Sequence, residues 1–188
     1  KNLTANGTCF TFVRNSITLD CAGFEIRGNS TSTLLNVSMV NGTVIRNCRL
    51  YNASIPIFLV NTSGVVINNT LAASVVWAQT TNPASANSTI SFSNISSLNF
   101  TVGTTRVITL LHNELGFVDL RDADGQIINN TIRGCGVCTV GANWNLTNNT
   151  IIGNGGSFSL QSGSGIYNNT FSGISVSAST QPGIIDNA

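Results

Sequence analysis

A short motif recurs along this chain and constrains its fold more than any other feature. In its clearest copies, residues 66–71 and 127–132, two apolar residues precede Asn-Asn-Thr and another apolar residue. Each copy alternates apolar and polar residues as a β-strand does, and it is too short for a helix pair. Equivalent asparagines recur every 17 to 25 residues, a spacing typical of solenoid proteins. Related copies are residues 44–50, 90–95, 110–115, 146–151, 165–171 and 184–187.

These repeats predict one all-β domain over residues 1–188, a single-stranded right-handed parallel β-helix (β-solenoid) of about eight or nine coils. Stacked coils pair strand on strand about 4.8 Å apart, and aliphatic side chains fill the interior. At each bend a buried amide satisfies backbone groups that leave the strand and bonds the amides of neighbouring coils. We therefore predict an internal asparagine ladder made of Asn47, Asn69, Asn94, Asn113, Asn130, Asn149, Asn169 and Asn187.

The sequence resembles a group of secreted β-helix proteins. Cys-Phe-Thr-Phe at residues 9–12 and Ile-Thr-Leu-Asp-Cys-Ala-Gly-Phe-Glu-Ile at residues 17–26 are similar to the opening of right-handed β-helix repeat proteins of archaeal cell surfaces. The later Asn-Asn-Thr repeats resemble those of copper-export periplasmic proteins and carbohydrate-active β-helix enzymes. The resemblance covers nearly the whole chain, with departures at residues 72–88 and 102–124. It implies the fold, whereas function depends on the sites that a fold carries.

Sequons for N-glycosylation are unusually dense in this chain. Fifteen in one small domain indicate a glycosylated, secreted protein. The alternative is that turns and ladders favour Asn and Thr and so create sequons as a by-product. The predicted glycosylation sites are Asn2, Asn6, Asn29, Asn36, Asn41, Asn52, Asn61, Asn68, Asn87, Asn94, Asn99, Asn129, Asn145, Asn148 and Asn168.

Charge and hydropathy exclude two classes of partner. Charged residues make up 8% of the chain, and its eight Lys and Arg residues are scattered, whereas nucleic-acid binding needs clustered cations. Apolar runs are shorter than the ~18 residues of a membrane-spanning helix. We therefore expect neither a nucleic-acid partner nor a membrane span. We also expect that Lys1 is a mature terminus left by processing.

Five cysteines are consistent with a secreted protein that forms disulfides. The resemblance implies that Cys9 pairs with Cys21, while Cys48 is either a buried thiol or a competing partner of Cys21. Cys135 and Cys138 form a C-x-x-C predicted to be a local disulfide, because it lacks the helix and the second ligand pair that redox and zinc sites need. One cysteine remains, either buried and reduced or bonded between subunits.

No catalytic residue and no cofactor are predicted. The single histidine, His112, lies in a strand-like copy and is interpreted as structural. The acidic cluster of Asp119, Asp122 and Asp124 ends in Asp-x-Asp-Gly, which resembles part of a calcium loop but lacks the later glutamate. Asp122 and Asp124 are therefore weak metal candidates, and a solvated turn is the favoured interpretation.

Three aromatic residues admit a sugar-stacking role. Trp77, Trp144 and Tyr167 would stack on sugar rings if exposed on one face, but packing in the core or wall is the favoured interpretation.

The expected function is structural and non-enzymatic. The sequence shows no amphipathic cap helix, and its last repeat has the same apolar and asparagine pattern as the repeats before it. Open strand edges invite association, so we expect copies to associate head to tail in an extracellular filament or surface layer with covalent N-glycans. The alternatives are a carbohydrate-active or carbohydrate-binding β-helix (lyase-like or hydrolase-like) and a surface adhesin domain.

Overall fold

Parallel strands stack into a β-solenoid of about eight coils in the computed structural model. The structure describes residues 2–78, 87–101, 107–120, 124–134, 137–140, 143–161, 163–178 and 183–185. No helix occurs among these residues, and every strand pairing between them is parallel. The predicted all-β parallel solenoid is therefore confirmed.

Most strands are short. In chain order they are β1 Leu3–Thr4, β2 Phe10–Phe12, β3 Thr18–Asp20, β4 Glu25–Arg27, β5 Thr33–Ser38, β6 Val44–Arg46, β7 Arg49–Tyr51, β8 Ile55–Val60, β9 Val66–Asn68, β10 Leu71–Ala78, β11 Ser88–Ser91, β12 Asn94–Thr101, β13 Val107–Leu111, β14 Glu114–Leu120, β15 Asp124–Ile128, β16 Thr131–Arg133, β17 Val137–Val140, β18 Trp144–Thr147, β19 Thr150–Leu160, β20 Gly165–Tyr167, β21 Thr170–Ala178 and β22 Gly183–Ile185.

Two sheets form the wall of the solenoid. Sheet 1 has nine strands in the order β3-β6-β9-β11-β13-β15-β18-β20-β22. Sheet 2 contains the other 13 strands and turns a corner, because β10 pairs with β7 at its start and with β8 at its end. Early coils therefore use three strands, and several later coils replace two of these with one long strand.

The length of a coil changes along the chain. In sheet 1, Thr18 pairs with Val44, 26 residues later, whereas Thr109 pairs with Gln126, 17 residues later. The early coils hold extra residues in the connections between strands, while the strand positions stay in register. Stacking is thus kept although the repeat has no constant length.

The interior consists of aliphatic stacks that run along the solenoid. Because side chains alternate between the two faces of a strand, one position of each sheet 1 strand points inward in every coil. In seven successive coils this position is at most 1% exposed. It is occupied by Ile45, Ile67, Ile90, Leu110, Ile127, Leu146 and Ile166.

Two of the three aromatic residues considered for sugar binding lie in this core. Trp77 and Trp144 are 1% and 0% exposed, and the Trp77 ring stacks on Phe100 with 5.2 Å between centroids. Only Tyr167, at 38% exposure, lies at the surface. The packing interpretation therefore applies to both tryptophans.

Candidate functional site

The described coils bend just after the sheet 1 strand, and the bend uses a left-handed backbone conformation. From the second coil to the eighth, the residue at the bend has φ between 45° and 57°. Asn suits this conformation because its short polar side chain tolerates it at little cost. We call these residues the outer column, and its members are Asn47, Asn69, Phe92, His112, Asn129, Asn148 and Asn168.

The residue after each bend points inward, and in the later coils it is an asparagine. The Nδ2 of Asn130 donates to the Leu110 carbonyl at 2.9 Å. The Oδ1 of Asn130 accepts from the backbone N–H of Asn113 at 2.8 Å and from the Nδ2 of Asn113 at 2.9 Å. Asn149 and Asn169 repeat these contacts. Each buried amide thus satisfies backbone groups at a bend. We call these positions the inner column: Cys48, Thr70, Ser93, Asn113, Asn130, Asn149 and Asn169.

Three predicted ladder members lie outside the inner column. Asn47 and Asn69 lie in the outer column, and Asn94 is exposed, one residue past the buried Ser93. The inner positions of these coils hold Cys48, Thr70 and Ser93. Another predicted member, Asn187, lies outside the described residues.

A shift of one residue between two similar motifs explains the error. In sheet 1 it is Ile67, and not Val66, that is in register with Ile127 through the intervening strands. The Asn-Asn-Thr of residues 68–70 is therefore one position earlier than that of residues 129–131. Small polar residues at the inner positions of the early coils were the signal that the sequence interpretation missed.

The sequon asparagines lie on the outside of the solenoid. All fifteen are among the described residues, and none of them is buried. Eleven are exposed, and Asn36, Asn61, Asn68 and Asn99 are half-buried. None of the buried asparagines of the inner column is a sequon acceptor, although Asn130, Asn149 and Asn169 are each the middle residue of a sequon. The two sets of asparagines therefore do not overlap.

The disulfide of the first coils differs from the prediction. Cys21 bonds Cys48, with their Cα atoms 4.8 Å apart, so the implied Cys9–Cys21 pairing is wrong. Cys9 is free and partly buried, and this burial raises the pKa of its thiol. Cys21 follows β3, and Cys48 lies in the inner column just after β6. Because β3 and β6 are paired, the two cysteines lie in adjacent coils. Cys138 is also disulfide-bonded, and Cys135 lies outside the described residues.

Acidic side chains of the early coils lie in local ion pairs on the surface. Asp20 contacts Arg46 at 2.9 Å and accepts a hydrogen bond from Asn47 Nδ2 at 2.9 Å. The bond from Asn47, the Ala22 N–H and then Arg46 lower the pKa of Asp20. These contacts join the first two coils at their outer edge.

The predicted acidic cluster forms no metal site among the described residues. Asp119 is buried on β14, Asp124 is half-buried at the start of β15, and Asp122 lies outside the described residues. Within the part of the chain that is described, no three His, Cys, Asp or Glu side chains come together as metal ligands.

An open polar groove crosses the outer column. It has a volume of about 470 Å³, and its walls include Arg49, Asn69, Phe92 and Asn94. Arg49 forms no ion pair within the described residues, in contrast to Arg27, Arg46 and Arg133. His112, the predicted structural histidine, is exposed in the outer column of the next coil and stacks on Phe92 at 5.2 Å between ring centroids. The groove was invisible in the sequence because its walls come from several coils.

The described residues include no helix of the length and apolarity that a membrane crossing requires. The chain matches no family model, no curated protein and no solved structure.

Proposed function

We propose that this protein is a non-enzymatic, heavily N-glycosylated structural protein of the cell surface or of a secreted filament. The observation that carries the proposal is the division of the asparagines by position. None of the fifteen sequon acceptors is buried, while the buried asparagines of the inner column are not acceptors. Ten of the fifteen acceptors do not have the left-handed backbone of a bend, so bends alone do not account for the sequons.

The composition of the surface supports the same proposal. With 8% charged residues and a net charge of +1, the protein has little of the net charge that keeps protein surfaces apart in solution. Glycans at exposed asparagines supply hydroxyl groups in place of charged side chains. The wall of the solenoid then presents sugars to its surroundings.

Head-to-tail association is supported by the ends of the described solenoid. Sheet 1 has β3 and β22 as its terminal strands, each with an edge that no other described strand covers. Apolar side chains are exposed in the first coil, with Val13 at 77%, Leu3 at 42%, and Phe10 and Ile17 at 38% each. Unpaired edges beside apolar surface favour pairing with another chain. A contact between unlike ends propagates into a filament or closes into a ring.

The alternative functions have weaker support. Two of the three candidate sugar-stacking aromatics are buried, and the carboxylates Asp20, Glu25 and Glu114 are each paired with an arginine. The adhesin-domain alternative is compatible with the same glycosylated wall and differs only in what else the full-length protein carries.

Glycopeptide mass spectrometry of the protein purified from its own cells tests the proposal. We expect glycans on several of the exposed asparagines and on none of Asn113, Asn130, Asn149 and Asn169, which serve as internal controls in the same digest. A protein with no glycan at any of its sequons would contradict the proposal.

A further inference from the structure

Phe92 is an unusual residue for its position. The outer column holds asparagine in five of its seven coils, because the bend requires a left-handed backbone. Phe92 adopts φ 51° there, although this conformation is unfavourable for a bulky side chain. Its side chain is also 59% exposed. Both features cost free energy in the bare protein, and such local strain is typical of a functional position.

One face of the Phe92 ring is covered and the other borders the groove. The His112 ring lies nearly parallel to it, with an interplanar angle of 17°. The remaining groove walls come from the coils that precede Phe92 and include Asn47, Arg49 and Asn69. The ring therefore forms an end wall of the groove, and His112 holds it from behind.

A glycan acceptor lies on the same wall. Asn94 follows Phe92 by two residues and begins β12, and it is exposed, lines the groove and belongs to the sequon Asn94-Ile95-Ser96. Its Nδ2 donates to Glu114 Oε2 at 3.2 Å. An N-linked sugar replaces one of the two hydrogens of that nitrogen, so the other can still bind Glu114. The chain between the two side chains runs through Ser93, which is buried and points inward.

We propose that the N-linked glycan of Asn94 folds back into this groove and that its first sugar ring stacks on the open face of Phe92. This inference rests on the proposed glycosylation and names one site and its contacts. The C–H face of a sugar carries partial positive charge, and the face of an aromatic ring is negative. The unpaired guanidinium of Arg49 and the amide of Asn69 supply hydrogen-bond partners for sugar hydroxyls in the same groove.

Thermal unfolding of four variants tests the contact as a cycle. Phe92→Asn restores the common residue of the outer column, and Ser96→Ala removes the sequon while it keeps Asn94 and its bond to Glu114. With the glycan present, we expect Phe92→Asn to lower Tm by about 2 °C. In the Ser96→Ala background, the same change is expected to raise Tm by a similar amount, because asparagine suits the bend. Phe24→Asn, at a residue 51% exposed, is the control and is expected to have equal effects in both backgrounds.

Proton NMR of the glycans provides a second readout. The ring current of Phe92 is expected to shift C–H resonances of the first sugar on Asn94 upfield of those on Asn148, and Phe92→Asn is expected to abolish the shift. Two outcomes would overturn this inference and leave the proposed function standing. In the first, other sequons carry glycans and Asn94 does not. In the second, Asn94 carries a glycan, but its sugar resonances are not shifted and the effect of Phe92→Asn on Tm does not change sign in the cycle. Absence of glycans from every sequon would overturn both.

Discussion

At the scale of the residue, asparagine has two distinct tasks at the same bend. In the outer column it tolerates positive φ and lies at the surface, as Asn129 does. In the inner column it binds backbone groups of its own and adjacent coils: the Nδ2 of Asn130 donates to the carbonyls of Ile128 and Leu110, and its Oδ1 accepts from the N–H of Asn113. Loss of the inner amide leaves buried polar groups unpaired, whereas loss of the outer one only changes a backbone preference.

We therefore expect Asn130→Ala to destabilise the protein far more than Asn129→Ala. The inner substitution leaves the Asn113 N–H and the Leu110 carbonyl without their partner, which costs about 3 kcal/mol in total. The outer substitution places alanine at positive φ, at a cost of about 1 kcal/mol. Urea unfolding of both variants, produced without glycans, measures the difference. Equal losses of stability would contradict the distinction between the two columns.

Asp20 gives the stability of the first two coils a dependence on acid pH. Its folded-state pKa is lowered by Asn47, Ala22 and Arg46, so the carboxylate contributes stability above its unfolded pKa of about 3.9. That contribution disappears as the pH falls through the lowered folded value. We expect the difference in Tm between wild type and Asp20→Asn to be constant above about pH 5 and to change steadily below about pH 4. A difference independent of pH down to about pH 2 would exclude this role.

At the scale of the element, strands were predictable but their exact register was not. The alternation of apolar and polar residues and the recurring asparagines identify the period and the inward aliphatic positions. The Asn-Asn-Thr motifs of residues 68–70 and 129–131 nevertheless differ by one residue in their position relative to the bend. The inner position of the earlier coil is therefore Thr70, and that of the next coil is Ser93, where later coils have asparagine. A hydroxyl can accept a backbone N–H as an amide oxygen does, so either satisfies the bend. Sequons are local motifs and could be identified in the sequence. The groove is formed by residues of several coils and could not be predicted from it.

The Cys21–Cys48 disulfide is expected to stabilise the first coils. It closes a sequence separation of 27 residues, for which chain entropy predicts a contribution of about 3 to 4 kcal/mol. Replacing both cysteines with alanine is expected to lower the free energy of unfolding by about this amount, measured by urea unfolding. Cys9→Ala is the control, since Cys9 forms no disulfide, and it is expected to cost under about 1 kcal/mol. Equal effects of the two changes would contradict the assignment.

At the scale of the whole molecule, the solenoid separates two kinds of surface. Its wall carries sequons on most coils, as at Asn52 and Asn145, and the glycans that we propose there would oppose side-by-side contact. Among the described strands, the uncovered edges of sheet 1 lie instead at the first and last coils, and the first coil also exposes apolar side chains. Because each coil contacts only its neighbours, a further copy added at an end repeats the same parallel pairing. The arrangement therefore favours growth along the solenoid axis over growth across it.

This reasoning predicts that a charge at the first end prevents assembly. Val13 follows β2 at that end and is 77% exposed, while Met39 follows β5 on the wall and is 76% exposed. Val13→Asp buries a carboxylate against an apolar partner if copies associate end to end, so we expect electron microscopy to show filaments for wild type and for Met39→Asp and few or none for Val13→Asp. Unchanged circular dichroism would show that all three chains are folded. Met39→Asp is the matched control, because the two residues are almost equally exposed and differ in their position in the stack. A monodisperse monomer for wild type in mild buffer, or filaments that persist in Val13→Asp, would contradict association through this end.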